Sequence, residues 1–278
     1  MTPQVLYKPQ SEDTSIEADR LIFQLLRQQP VSKRVEMASK HSQGINRLCL
    51  SGVKRRNPSA PLPVIGEKFA LAKLGKIPPG LTLTGEDEEM WVHDSISLAR
   101  QLDQILEENG IFYYVTNEVA ASTHGEPRST IDLDLVVQIS AVDVEEMADM
   151  LTSQGFLCSG LDEVRRDISP RFQAIEGATI TKADIYISSG SAFANSQMSR
   201  RLRIAEDFYV CSAEDIVLRK LVWRKTSQPE KQWRDVLGVI KLQQQDLDRA
   251  YLSAWAVELG VSAELTQALQ EAGEEDTA

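Results

Sequence analysis

Between Ile131 and Val137 the chain reads Ile-Asp-Leu-Asp-Leu-Val-Val, and no other segment restricts the fold as much. Its period of two predicts a β-strand over 131–139, with Ile131, Leu133, Leu135 and Val137 on one face and Asp132 and Asp134 on the other. A strand that is apolar on one side has to be covered there, and helix patterns flank it in the sequence. Ile96, Leu98, Leu102, Ile105 and Leu106 space a helix that runs from Asp94 to a stop at Asn109-Gly110. Residues 111–115 are aromatic and β-branched, hence strand-like, and 120–124 make one or two helical turns before Gly125-Glu126-Pro127-Arg128. A helix over 142–154, a strand opening at Gly155-Phe156-Leu157 and an alternating run over 180–188 follow. Strands and helices taking turns predict an α+β core over 94–211, a mixed β-sheet with flanking helices.

The two ends of the chain are helical. Residues 213–225, 230–243, 247–259 and 262–271 predict a C-terminal helical bundle over 212–271, followed by an acidic tail over 272–278. Residues 1–76 predict a helical extension. One helix, capped by Thr14 or Ser15, repeats Leu21, Ile22, Leu25 and Leu26 up to Pro30. The next carries Val35, Ala38, Ile45, Leu48 and Val53 to Lys54-Arg55-Arg56. Three prolines over 57–63 precede a short helix at 67–74, and Pro78-Pro79-Gly80 with the acidic run 86–89 predicts a linker over 77–93.

Charge divides along the same boundary. The net charge is −11, which excludes broad coating of nucleic acid, yet residues 1–76 carry +7 and the remainder −18. Two readings stay open: the basic end docks on the acidic body, or it holds a nucleic acid or an acidic partner. Cys49, Cys158 and Cys211 are scattered, so reduced thiols are expected rather than disulfides or a zinc site. His41, His93 and His124 sit in no catalytic motif, Trp223, Trp233 and Trp255 are expected to pack, and P-loop, G-x-S-x-G, kinase and Rossmann signatures are missing. No apolar run reaches membrane-spanning length and no signal peptide opens the sequence, so a cytoplasmic protein with no membrane partner is expected.

Chemistry concentrates on the carboxylates. Asp132 and Asp134, about 6–7 Å apart on one strand face, repel each other in a strand that otherwise favours apolar residues. A cation would relieve them, and oxygen-only ligands suit Mg²⁺ shared with phosphate. An exposed sheet edge or a turn cap explains the pair equally well. In Lys182-Ala183-Asp184-Ile185-Tyr186-Ile187, Asp184 again opposes apolar neighbours, and an adjacent strand can bring it to the same place.

The stretch Tyr114 to Val137, YVTNEVAASTHGEPRSTIDLDLVV, resembles the opening of the nucleotidyltransferase superfamily with the DNA polymerase β-like fold. The resemblance continues through TKADIYI at 181–187, SQMSRR at 196–201, SAEDIVLRKL at 212–221 and EKQWRDVLGVIKLQ at 230–243, and covers about 94–265. It is to small prokaryotic nucleotidyltransferase-like proteins, similar to those found as toxins or antitoxins in two-gene modules. It implies an enzyme that uses Mg²⁺ and NTP, with a protein or tRNA/RNA acceptor and a cognate antitoxin or toxin as partner. Asp132 and Asp134 would be metal ligands, and Asp184 the third carboxylate, activating the attacking hydroxyl. Lys220 would face the nucleotide phosphates and Asp235 brace its helix pair. Arg128 and Thr130 can reach a phosphate, or Arg128 can hold the turn. Arg200, Arg201 and Arg203 would meet acceptor or triphosphate, or stay in solvent.

Where the family has its Gly-Gly-Ser turn, this chain has Thr116-Asn117-Glu118. Thr116 and Asn117 stand at phosphate-binding positions, and Asn tolerates a tight turn. Glu118 brings a negative charge there. Two like charges ~4 Å apart at an effective dielectric near ~20 repel by about 4 kcal/mol. The metal side of the site is retained and the phosphate side is altered, so a catalytically degenerate module that binds a protein or RNA is the alternative to the enzyme. SEDTSIEADRLIFQLLRQQPVSKRV is similar to short helical proteins encoded immediately before such proteins. Their fusion here would serve as an antidote, an RNA-positioning arm or a scaffold.

Overall fold

The computed structural model describes residues 7–84 and 87–273. Glu86 of the expected acidic linker run and residues 274–278 of the expected tail lie outside the described residues. The expected α+β class is what the chain forms: a seven-stranded mixed sheet with flanking helices, a helical extension before it and a helical bundle after it.

The sheet is built from β1 (Tyr113–Thr116), β2 (Leu133–Val137), β3 (Phe156–Ser159), β4 (Arg171–Glu176), β5 (Thr181–Ile187), β6 (Leu202–Ile204) and β7 (Phe208–Val210). Their order is β3-β4-β5-β2-β1-β7-β6, with β2 parallel to β5, β1 parallel to β7 and the other pairs antiparallel. The central strand is shorter than the alternation suggests: it starts at Leu133, so Asp132 stands just ahead of it.

Thirteen helices surround this sheet among the described residues. Before the sheet come α1 (Ile16–Arg27), α2 (Val31–Arg56), α3 (Leu62–Leu74), α4 (Glu88–Trp91) and α5 (Ser95–Glu108). Between strands lie α6 (Asn117–His124), α7 (Val144–Ser153), α8 (Leu161–Arg165) and α9 (Ala192–Ser199). The bundle is α10 (Ala213–Arg224), α11 (Pro229–Gln243), α12 (Arg249–Glu258) and α13 (Ser262–Glu271). Their starts follow local chemistry: Ser15, Asp94, Ser191 and Ser212 each accept a backbone N–H of the first turn of the helix they precede.

Alternation assigns the two faces of the sheet. Leu133, Leu135, Val137, Ala183, Ile185 and Phe172 pack with Leu102 and Leu106 of α5 and Met147 and Leu151 of α7 in one core. On the opposite face Tyr114 and Val136 pack with Ala120 of α6, Val217 of α10 and Val236 of α11. Tyr186 of β5 reaches this cover, while Arg171 of β4 and Lys182 of β5 line cavities on the same face. Among the described residues no helix is long and apolar enough to cross a membrane, and the three cysteines are free thiols.

The extension is packed into the body rather than set apart from it. Val35 and Ala38 of α2 enter the sheet core, while Leu50 and Val53 meet Phe69 of α3, Trp91 and Ile180. Gly66 gives Trp91 its place, since a Cβ there would lie 2.8 Å from the indole. The expected apolar stripe of α1 is corrected: Phe23 and Leu26 bury against Leu242, whereas Leu21, Ile22 and Leu25 are exposed, as are Ile45 and Leu48 of α2. Ion pairs between the extension and the remainder run in both senses. Arg47 and Lys54 pair with Glu89 and Glu88 nearby, and the ion pair that reaches α11 has the opposite sense, Asp19 with Lys241 at 2.7 Å.

That pair is fully buried. Lys241 also donates to the Lys8 carbonyl at 2.5 Å, and the Tyr7 hydroxyl donates to Asp19 at 2.5 Å. Burial raises the Asp19 carboxyl, but the hydrogen bonds from Lys241 and Tyr7 outweigh it and hold the group below its usual range. Asp19→Ala strands the Lys241 ammonium, so urea unfolding should show a loss of about 3–5 kcal/mol. Asp19→Leu combined with Lys241→Met should recover most of it.

Candidate functional site

Strand register brings the expected carboxylates together. In the parallel pairing of β2 with β5, Asp134 lies directly opposite Asp184. The same row continues to Thr116 of β1 on one side, and to Gln173 of β4 and Ser159 of β3 on the other. Asp134 is 8% and Asp184 5% exposed, whereas Asp132, ahead of the strand, is half exposed.

These anions are compensated from within. Lys182, two residues before Asp184 on the same face, puts its ammonium 3.2 Å from Asp132 and 3.6 Å from Asp184. Gln173 donates to Asp184 at 2.8 Å, and an Arg171 guanidinium nitrogen lies 3.3 Å from the same carboxylate. Asp134 has less help. Burial, and then the charges of Glu118 and Asp184, push it up to about 7 against the hydrogen bond from Asn117.

The carboxylates floor a cleft of about 520 Å³. Arg128, Thr130 and Arg171 line it, Tyr186 and Trp223 add aromatic surface, and Ser42, Ile45 and Asn46 of α2 form one wall. Asn117 also faces the cleft, in a left-handed conformation (φ 55°) that Asn accepts, and its buried Oδ1 has no hydrogen-bond partner. Thr116 is one residue too deep, fully buried with its hydroxyl against the Cys211 thiol.

Lys220 is elsewhere. It is 1% exposed, lies outside the cleft lining, and its ammonium sits 3.1 Å from Glu118 and 2.8 Å from Asp235. Asp235 also binds Arg128 at 2.5 Å, and Glu118 binds Lys231 at 3.0 Å. Glu118 is therefore matched by two lysines. Burial raises its carboxyl, and Lys220 with Lys231 reverse that and bring it down to about 2. Arg200 pairs with Glu214 and Asp248, Arg203 with Asp103, and Arg201 lies over Phe112 and Tyr209, all away from the cleft. His124 is buried on the Cys211 carbonyl, and burial drives it down to about 4, leaving a neutral ring in the core.

Sequence reasoning missed Arg171, Gln173, Lys182, Tyr186, Lys231 and the α2 wall. The period of two in TKADIYI does put Lys182 and Tyr186 on the face of Asp184, so two of them carried a signal. Arg171 and Gln173 lie on a strand with no clear alternation of hydropathy.

Among the described residues no three His, Cys, Asp or Glu side chains group closely enough to hold a metal ion by themselves. The donors present are two adjacent carboxylates and the orphaned Asn117 Oδ1. Such a set suits a hard cation that completes its shell with water and substrate phosphate, the habit of Mg²⁺, rather than an all-protein cage.

No family model matches the chain, and no curated protein matches it. Among solved structures it is similar to an antigenic nucleotidyltransferase-like protein from Paracoccidioides brasiliensis, at 19% identity over 64% of this chain and 93% of that one, with a TM-score of 0.43. It is also similar to a tRNA-processing enzyme in an apo form, at 16% identity over 67% of this chain and 49% of that one, with a TM-score of 0.31.

Lys220→Met should leave Glu118 and Asp235 without their shared cation and lower unfolding stability by about 3 kcal/mol. The Glu118 contribution carries its own pH signature. A depressed carboxyl stabilises above its ordinary value, so the stability gap between wild type and Glu118→Gln should hold from pH 7 to 5. It should close as pH falls from 4.5 toward about 2, as followed by urea midpoints.

Proposed function

We propose that the cleft is the active site of a nucleotidyltransferase-like enzyme, which moves a nucleoside monophosphate from an NTP to a hydroxyl of a macromolecular acceptor. The observation that carries this reading is the in-register pair Asp134 and Asp184 on the open polar face of the sheet, with Asp132 beside them. An acceptor oxygen attacks the α-phosphorus, the bond to the bridging oxygen of the β-phosphate breaks, and pyrophosphate leaves. Asp184, hydrogen-bonded by Gln173, takes the proton of the attacking hydroxyl. Arg128, Thr130 and Arg171 are the cleft's groups for phosphate oxygens. A bound Mg²⁺, held by Asp134 and Asp184 with the Asn117 Oδ1 and with Asp132 nearby, would supply charge neutralisation at the phosphates.

The sequence resemblance extends this proposal to a toxin–antitoxin setting in the cytoplasm, with a cognate antitoxin or toxin as partner. One observation favours a second reading, a binding module without turnover. Lys220, which the resemblance assigns to the phosphates, is sequestered by Glu118 and Asp235.

Thermal unfolding with Mg²⁺ and each NTP, against Mg²⁺ alone, separates the two readings. For the enzyme, one nucleotide at about 100 times its dissociation constant should add ~2.7 kcal/mol and raise the midpoint by several degrees. Asp132→Ala with Asp134→Ala should erase that shift while the protein stays folded, since both side chains face away from the sheet core. No shift at millimolar nucleotide would leave the binding module.

A further inference from the structure

A cavity of about 260 Å³ lies where the extension meets the bundle, and it shares no lining residue with the cleft. Arg20, Gln24 and Arg27 form one wall, since their spacing along α1 puts them on one side of that helix. Gln244, just after α11, and Gly273, just after α13, face them, and Tyr7 closes the end. Gly273 is left-handed (φ 85°), and a Cβ there would lie 2.8 Å from the Tyr7 ring, so the ring packs on bare backbone.

The charge here is one-sided. Among the described residues every charged side chain lining the cavity is a cation, Arg20, Arg27 or Lys241, in a chain whose net charge is −11. Lys241 is already matched by Asp19 at 2.7 Å. The arginines are not matched. Arg27 donates to the Lys241 carbonyl at 2.6 Å, and the Arg20 guanidinium lies 4.8 Å from the Tyr7 ring centre. Neither forms an ion pair with a carboxylate among the described residues, and the Gln24 and Gln244 amides have no hydrogen bond there either. Arg27 serves the exposed carbonyls at the end of α11, as a cation at a helix C-terminus does. A guanidinium carries five N–H donors, so that bond leaves most of its fork free.

We propose that this cavity binds a small phosphate monoester, with the phosphate on Arg20 and Arg27 and the organic part against the Tyr7 ring. Two planar forks ask for more acceptors than one carboxylate has, and the three terminal oxygens of a monoester supply them. The cavity is larger than a bare phosphate needs, and its aromatic end gives the remaining space an apolar surface. Bound there, the ligand bridges α1, the end of α11 and the end of α13, and so ties the extension to the bundle. No residue of the cleft takes part, so the proposal stands apart from the nucleotidyltransferase reading.

The test titrates the full chain, without Mg²⁺ or NTP, with inorganic phosphate, phenyl phosphate or acetate at constant ionic strength, and reads the thermal midpoint. Either phosphate at about ten times its dissociation constant should raise the midpoint by about 3 °C. Phenyl phosphate should reach that rise at a several-fold lower concentration, and acetate should not reach it. Arg20→Gln removes one fork at an exposed position and should weaken phosphate binding about tenfold. Arg27→Lys keeps the charge, loses the fork and should weaken it as well. Each variant is compared with itself in the absence of phosphate, so a lower starting midpoint does not pass for lost binding. The sequence continues from Gly273 into Glu274-Glu275-Asp276, so the titration is repeated on Glu274→Gln with Glu275→Gln and Asp276→Asn, which removes those anions as competitors. The proposal is overturned if neither background responds to phosphate, or if Arg20→Gln responds as the wild type does, which would place the anion elsewhere. It is equally overturned if acetate matches phosphate, or if phenyl phosphate binds no tighter than the inorganic ion.

Discussion

The parallel pairing of β2 with β5 sets Asp134 beside Asp184 at the same level of the sheet, and much of the surrounding chemistry answers to that contact. Two carboxylates buried side by side repel strongly, and they persist only with opposing charge, hydrogen bonds or protonation. The protein uses all three. Lys182 and Arg171 bring charge, Gln173 and Asn117 bring hydrogen bonds, and Asp134, which no lysine or arginine contacts as an ion pair among the described residues, is the group driven toward its neutral form. A site held in this condition favours any cation that enters with its own anionic ligands.

Glu118 shows how a local departure is absorbed. A carboxylate at the start of α6 would be costly in a half-buried site, yet helix N-termini favour anions, and Lys220 and Lys231 complete the neutralisation. The result couples three helices through one chain of charge: Glu118 on α6, Lys220 on α10, and Lys231 with Asp235 on α11. Arg128 joins from the turn that leads to β2. A lysine tied to two anions is a scaffold group here. Arg128 and Lys231, which retain partial exposure and line the cleft, are the cations of this network that face the ligand side.

What the sequence made legible follows from periodicity. The faces of β2 and β5 were readable because Asp132, Asp134, Lys182 and Asp184 interrupt apolar runs at a period of two, which placed the three aspartates opposite the sheet core. β4, β6 and β7 were not readable. Two of them span three residues each, and β4 mixes Arg171, Gln173 and Glu176 into a strand whose pairing is decided by its neighbours. Lys220 was placed by resemblance, which gives a position on a helix but not the partners that Glu118 introduces. The α1 stripe failed for a related reason: Leu21, Ile22, Phe23, Leu25 and Leu26 surround most of the helix, so spacing could not tell which two residues meet α11.

The extension matters to the site through backbone rather than through charge. Ser42 of α2 accepts the Thr130 N–H, two residues before Asp132, and Arg34 donates to the Thr123 carbonyl at the end of α6. Lys73 of α3 donates to the carbonyls of Trp91, His93 and Thr179, the last of these two residues before β5 begins, and burial brings that ammonium down to about 8. The segments that lead into both carboxylate strands are thus pinned by the same two helices. Removing α2 and α3 would strip a wall from the cleft and also free the approach to β2 and β5, on whose register the pairing of Asp134 with Asp184 depends. The basic N-terminal region is accordingly a structural component of the carboxylate site.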